Sequence, residues 1–155
     1  MATYDFPHRG RAQTARWMYH LAENYADDIG SLAQLPLIEM HNFVRRIPYK
    51  SDAQAWGDPF REVVARSGYI LQMPKNQWIG GIDCKKKAIL MGAWATANGV
   101  PWELIAMSEQ PNQEIHHVFP VLGINGQWVN TDATYARYAL GAAKPEMTNA
   151  ERLYR

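Results

Sequence analysis

Gly80-Gly81-Ile82-Asp83-Cys84-Lys85-Lys86-Lys87-Ala88-Ile89-Leu90-Met91-Gly92-Ala93-Trp94-Ala95-Thr96-Ala97-Asn98-Gly99 is the stretch on which the reading of this chain turns. A turn at Gly80-Gly81 leads into a run that predicts a helix from Cys84 to Asn98, with Gly99 as its C-terminal glycine. Beyond Lys87 almost every residue is apolar: Ala88, Ile89, Leu90, Met91, Ala93, Trp94, Ala95, Ala97. A helix with so little polar surface must be packed on several sides, which places it at the centre of the domain. The only cysteine of the chain, Cys84, stands at its first position.

Downstream the hydrophobic period changes. Trp102–Met107 reads as a strand, Ser108–Gln113 as a polar loop, and residues 116–123 and 126–132 as two strands joined at Asn125-Gly126, a strong hairpin signal. Upstream, Ala15, Met18, Ala22, Tyr25 and Ile29 recur at helical spacing, so residues 11–29 predict an amphipathic helix stopped by Gly30. A second helix is expected from Leu35 to Arg46, ending at Ile47-Pro48 because the residue before proline avoids the α region. Asp58-Pro59 reads as the cap and first turn of a third helix, closed by Ser67-Gly68. Residues 69–81 read as irregular, and Thr148-Asn149-Ala150-Glu151 as a capping box opening a short final helix. The expected fold is α+β in one domain spanning 1–155. A helical part covers about 11–67, the cysteine helix and a small antiparallel sheet about 80–135, and a short tail follows.

A chain of 155 residues with a formal charge of +1 is long enough to bury a core. Its balanced charges give no field for nucleic acid or anionic lipid. One cysteine excludes an internal disulfide framework, and no window approaches the roughly 20 apolar residues that span a bilayer. The opening residues carry no apolar stretch of the signal-peptide kind, so the default expectation is the cytoplasm of the producing cell. Export within a larger particle is compatible with this.

A free thiol titrates near 8.5 and needs help to act as a nucleophile at neutral pH. The first turn of a helix supplies dipole and free N–H groups, and a histidine in contact adds an imidazolium partner. A carboxylate behind the histidine holds its tautomer. His117 lies eight residues before Asn125 and Asp132 six after Gly126, so a tight hairpin brings them nearly opposite at its open end. Such pairs sit within about 5.5 Å between Cβ atoms. If the sheet packs on the cysteine helix, that end meets Cys84. Each residue alone also fits a bland role: a packing thiol, a structural histidine, a turn aspartate. A metal site through His116, His117 and Cys84 is disfavoured, because adjacent histidines on a strand point apart.

The segment Gly81-Ile82-Asp83-Cys84, with Ala97-Asn98-Gly99-Val100-Pro101 beyond the helix, resembles the cysteine box of the transglutaminase-like superfamily of papain-type cysteine enzymes. His117, the Gly126-Gln127-Trp128 hairpin and Asp132-Ala133-Thr134 resemble its histidine and aspartate boxes. The resemblance covers about residues 78–135. It implies a papain/transglutaminase-like core with Cys84 as nucleophile, His117 as general base and acid, and Asp132 as orienting carboxylate. His117 rather than His116 keeps the family's distance to the hairpin. The resemblance also implies an oxyanion hole made of the Cys84 N–H and a group from the preceding loop, with Gln77 and Trp78 as candidates. Neither cofactor nor metal is implied.

Two features depart from that pattern. Lys85-Lys86-Lys87 stands where many relatives carry acidic residues; it reads as a solvated first turn that could favour a thiolate or an acidic substrate. Pro120 removes a ladder donor, which predicts an edge strand or a bulge just past His117. The leading expectation is acyl transfer at an amide of a peptide or protein through a Cys84 thioester, with water favoured as acceptor. Cell-wall peptide is among the possible substrates, and domains of this resemblance occur in phage proteins. The rival is a non-catalytic structural or assembly module, for example in a virion, that retains the fold.

Overall fold

The computed structural model describes residues 3–6, 11–58, 61–108, 116–135, 137, 139–142 and 149–155. Its hub is helix α5, Cys84–Ala97, whose residues are buried at every position from Lys86 to Ala95. Helices α1 (Arg11–Asn24), α2 (Leu37–Arg46) and the short α4 (Ser67–Ile70) pack against it, as do strands β3 (Trp102–Ser108) and β4 (His117–Ile124). Gly92 allows the closest approach: a Cβ there would lie 2.4 Å from the Trp102 ring, so helix and sheet can meet only with glycine at this point. Ile89, Leu90, Ala93, Leu104, Ala106, Val118 and Leu122 share the resulting core.

Strands β5 (Gln127–Asn130) and β6 (Asn149–Leu153) complete an antiparallel sheet in the order β5-β4-β3-β6. β4 and β5 turn through Asn125 (φ 51°) and Gly126 (φ 78°), the two left-handed residues of a two-residue hairpin. A separate two-stranded sheet pairs β1 (Thr3–Phe6) with β2 (Glu62–Ala65). The chain is therefore mixed α+β, with a small four-stranded antiparallel sheet. No helix among the described residues is long and apolar enough to cross a membrane.

Several local expectations are corrected. The first helix stops at Asn24 rather than Ile29, and a 3-10 segment, Ala26–Gln34, follows with a break at Gly30 (φ 55°). The helix expected over Asp58–Ser67 does not form there. Glu62-Val63-Val64-Ala65 is a strand, its β-branched pair favouring extended backbone and finding β1 as partner, while Pro59 lies outside the described residues. The working cap is earlier: Ser51 and Gln54 form a reciprocal capping box on α3 (Asp52–Trp56), closed by Gly57. The tail is β6, not a helix. It covers the open edge of β3, and the Tyr19 hydroxyl accepts from Leu104 N–H at 2.6 Å while donating to Leu153 O at 2.7 Å. A ladder edge outweighed a local cap signal. Ser108 ends β3 rather than starting a loop, and the rest of that loop, 109–113, lies outside the described residues.

β4 is interior, so Pro120 is not on an edge strand. A residue's N and O point to the same side of a strand. Pro120 O accepts from Thr131 N–H at 3.1 Å, so the missing donor faces β5, beyond that strand's last ladder pair, Val121 with Asn130. No bond to β3 is lost.

Candidate active site

Cys84 opens α5 and is buried, 8% exposed. The loop before it is clamped to the segment after α2: Ile82 N–H donates to Pro48 O at 3.0 Å and Lys50 N–H to Ile82 O at 3.1 Å. Gly81 permits this contact, since a Cβ there would stand 2.6 Å from Pro48 O. Asp83 caps the helix by accepting from Lys86 N–H at 3.2 Å.

The three lysines are not a solvated turn. Lys86 and Lys87 are 2% and 1% exposed, and the Lys85 side chain only 15%. Lys85 Nζ lies 2.6 Å from Asp83 and 3.3 Å from Asp52, and Lys86 Nζ binds the same two carboxylates. Asp52 also accepts from Val63 N–H at 2.7 Å, tying β2 into the cluster. Burial works against ionisation of Asp83, but Lys85 and Lys86 outweigh it and hold its pKa below the usual carboxylate range. Lys87 donates to the carbonyls of Ile47 at 2.7 Å, Thr134 at 3.2 Å and Arg45 at 3.4 Å. Burial lowers it to about 8, against the pull of Asp132. Buried cations are tolerated only with partners, and these side chains are long enough to reach oxygens on neighbouring elements. All three ammonium groups are thus already held by protein oxygens, which removes the run as a ready receptor for acidic substrates.

His117 begins β4 and reaches both other groups. Its Nε2 lies 2.6 Å from Asp132 Oδ2, and Cys84 is near enough to help raise its pKa. With Nε2 spent on the carboxylate, Nδ1 is the ring nitrogen left for the thiol. Burial opposes the charged imidazole, but Asp132 and Cys84 outweigh it and raise His117 to about 9. Asp132 is itself held at both ends. Its Oδ1 accepts from Thr134 N–H at 2.9 Å and its N–H donates to Asn130 Oδ1 at 2.9 Å. His116 is exposed and lies just before β4. Among the described residues no group of three His, Cys, Asp or Glu gathers as a metal cluster.

Gln77 and Trp78 lie on an exposed turn. The Trp78 N–H already donates to Asn76 Oδ1 at 2.8 Å, and its side chain is 78% exposed. Other residues at the site escaped the sequence reading. His41, fully buried, donates from Nε2 to Asp132 O at 3.0 Å, and burial keeps its ring below its ordinary pKa. Tyr135 lies roughly parallel to the His117 ring at 6.3 Å, and Tyr49 is 5.6 Å from Tyr135. The one signal for Tyr135 is its place directly after Asp132-Ala133-Thr134; nothing in the pattern marks His41 or Tyr49.

No protein-family model matches the chain, and neither a curated protein nor a solved structure is significantly similar to it. The functional reading rests on the residues themselves.

Proposed function

We propose that this chain is a small thiol acyl-transfer enzyme with a papain- or transglutaminase-like core, hydrolysing an amide or peptide bond through a Cys84 thioester. The observation that carries the proposal is the position of His117, hydrogen-bonded to Asp132 and close enough to Cys84 for the thiol to help raise its pKa. A carboxylate–imidazole–thiol line of this order is the arrangement that nucleophilic catalysis needs. Cys84 Sγ attacks the carbonyl carbon and the C=O electron pair moves onto oxygen. The His117 proton passes to the amine, which leaves as the C–N bond breaks. His117 then takes a proton from water, whose oxygen attacks the thioester; acid is released and the thiol restored. A peptide or protein amide is the substrate class that this machinery serves.

The 8% exposure of Cys84 favours a second reading, in which the thiol only packs and the chain is a structural module. Alkylation by iodoacetamide across pH separates the two. In an enzyme, His117→Ala slows alkylation of Cys84 at pH 7 by roughly tenfold or more, as expected when a thiolate loses its imidazolium partner. A slow thiol indifferent to His117 would leave only the structural module.

A further inference from the structure

Lys87 binds backbone carbonyls where Lys85 and Lys86 bind carboxylates. An ammonium group has three protons to donate, and Lys87 Nζ spends them on Ile47 O at 2.7 Å, Thr134 O at 3.2 Å and Arg45 O at 3.4 Å. Arg45 and Ile47 sit at the C-terminal end of α2, where helix carbonyls lack partners and a cation meets the negative end of the dipole. Capping α2 accounts for two of the three bonds. The third crosses to residue 134, two positions beyond Asp132. Lys87 is 1% exposed and burial lowers its pKa to about 8, so the fold carries this charge at a cost. A well-packed apolar side chain of similar volume would avoid that cost.

Thr134 connects the third bond to the reacting groups. Its C=O is held by Lys87, and its N–H donates to Asp132 Oδ1 at 2.9 Å. The other carboxylate oxygen, Oδ2, is the one 2.6 Å from His117 Nε2. α2 grips the same segment a second time. His41, one turn before Arg45 on the same side of the helix, donates to Asp132 O at 3.0 Å. Residues 132–134 are thus tied to α2 at both ends, by His41 directly and through the Lys87 ammonium at Thr134. Resting on the acyl-transfer reading above, we propose that Lys87 is a positioning residue of the thiol centre. By tying Thr134 O to the end of α2 it keeps the Thr134 N–H on Asp132, and so keeps that carboxylate aimed at His117. Lys87 acts through Thr134 and Asp132 and takes no part in bond making.

The His117 imidazole reads the effect, because a carboxylate held against it raises its pKa, to about 9 in the wild type. Titration of its ring protons by NMR, assigned against His117→Ala, follows it directly. Two consequences of removing the ammonium have opposite signs: losing a positive charge raises a neighbouring imidazole pKa, whereas losing the aim of Asp132 lowers it. In Lys87→Met the His117 pKa should fall by about one pH unit. Lys87→Gln, whose amide can still donate to a carbonyl, should show a smaller fall, and it serves where the Met variant does not fold. An unchanged or raised pKa in a folded variant, with wild-type alkylation of Cys84 still dependent on His117, would overturn the positioning role and leave the acyl-transfer reading intact. Wild-type alkylation that ignores His117 would overturn that reading and the proposal with it.

Discussion

The first turn of α5 carries two ionic assemblies that differ in what they leave unsatisfied. In one, Lys85 and Lys86 face Asp83 and Asp52, two cations against two carboxylates, and the carboxylates also accept backbone N–H groups from Lys86 and Val63. In the other, His117 is strung between Asp132 and Cys84, and its ring rests against the partly exposed Tyr135. The first is closed, with charges balanced and bonds directed inward. The second differs in kind, because it sets a thiol beside a titrating imidazole. Saturation makes a joint; an unsatisfied nucleophile beside a base makes a site.

The comparison breaks first at Asp52. Asp52→Asn keeps the shape and the bond to Val63 but strips a charge from buried Lys86, so urea unfolding should show a loss of about 3 kcal/mol. The ratio of Cys84 alkylation rates with and without His117 should stay unchanged. A change in that ratio would mean that the joint also tunes the site.

Titration sharpens the contrast next. The imidazole of His117 titrates near 9 in the fold against 6.5 unfolded, so the folded state binds the extra proton between those values. Its stabilising contribution is full below about 6.5 and is lost as pH rises to about 9, amounting to up to about 3 kcal/mol. Lys87 acts in the opposite sense: at about 8 in the fold and 10.5 unfolded, it makes stability rise with pH across that window. Stability measured from pH 6 to pH 10 should therefore fall to about pH 8, flatten to about pH 9 and then rise for the wild type. In His117→Ala the early fall should vanish and the later rise remain; a fall that persists would assign it to another group. The smallest effect is expected at Ser51, whose capping box starts the helix that carries Asp52. Ser51→Ala should cost about 1 kcal/mol, with alkylation kinetics untouched.

The cysteine helix and the Asn125-Gly126 hairpin were legible in the sequence because their signals are local: apolar content, a terminal glycine, a two-residue turn. The hairpin also brought His117 near Asp132, but through their side chains: the ladder ends at Val121 with Asn130, and its register would set Phe119 rather than His117 across from Asp132. Where local signals competed with distant partners, the distant partners won. Thr148–Glu151 has a capping pattern, yet residues 149–153 pair with β3, and Asp58-Pro59 precedes a strand that β1 completes. The burial of Lys85, Lys86 and Lys87 could not be read at all, because a lysine run beside a cysteine looks the same whether its oxygen partners are water or residues 33 to 47 positions away.

What the sequence by itself determined is therefore the α+β composition, the central helix with Cys84 at its head, and the Asn125-Gly126 hairpin at whose open end His117 and Asp132 lie. Each follows from short-range backbone geometry and the periodicity of apolar side chains. Only the tertiary structure decided that α5 meets the open end of the hairpin, that Asp52 neutralises Lys85 and Lys86, and that Tyr135, backed by Tyr49, lies beside His117. Those are contacts between segments far apart in the chain, and their free energy comes from burying groups that have no partner until the whole domain closes.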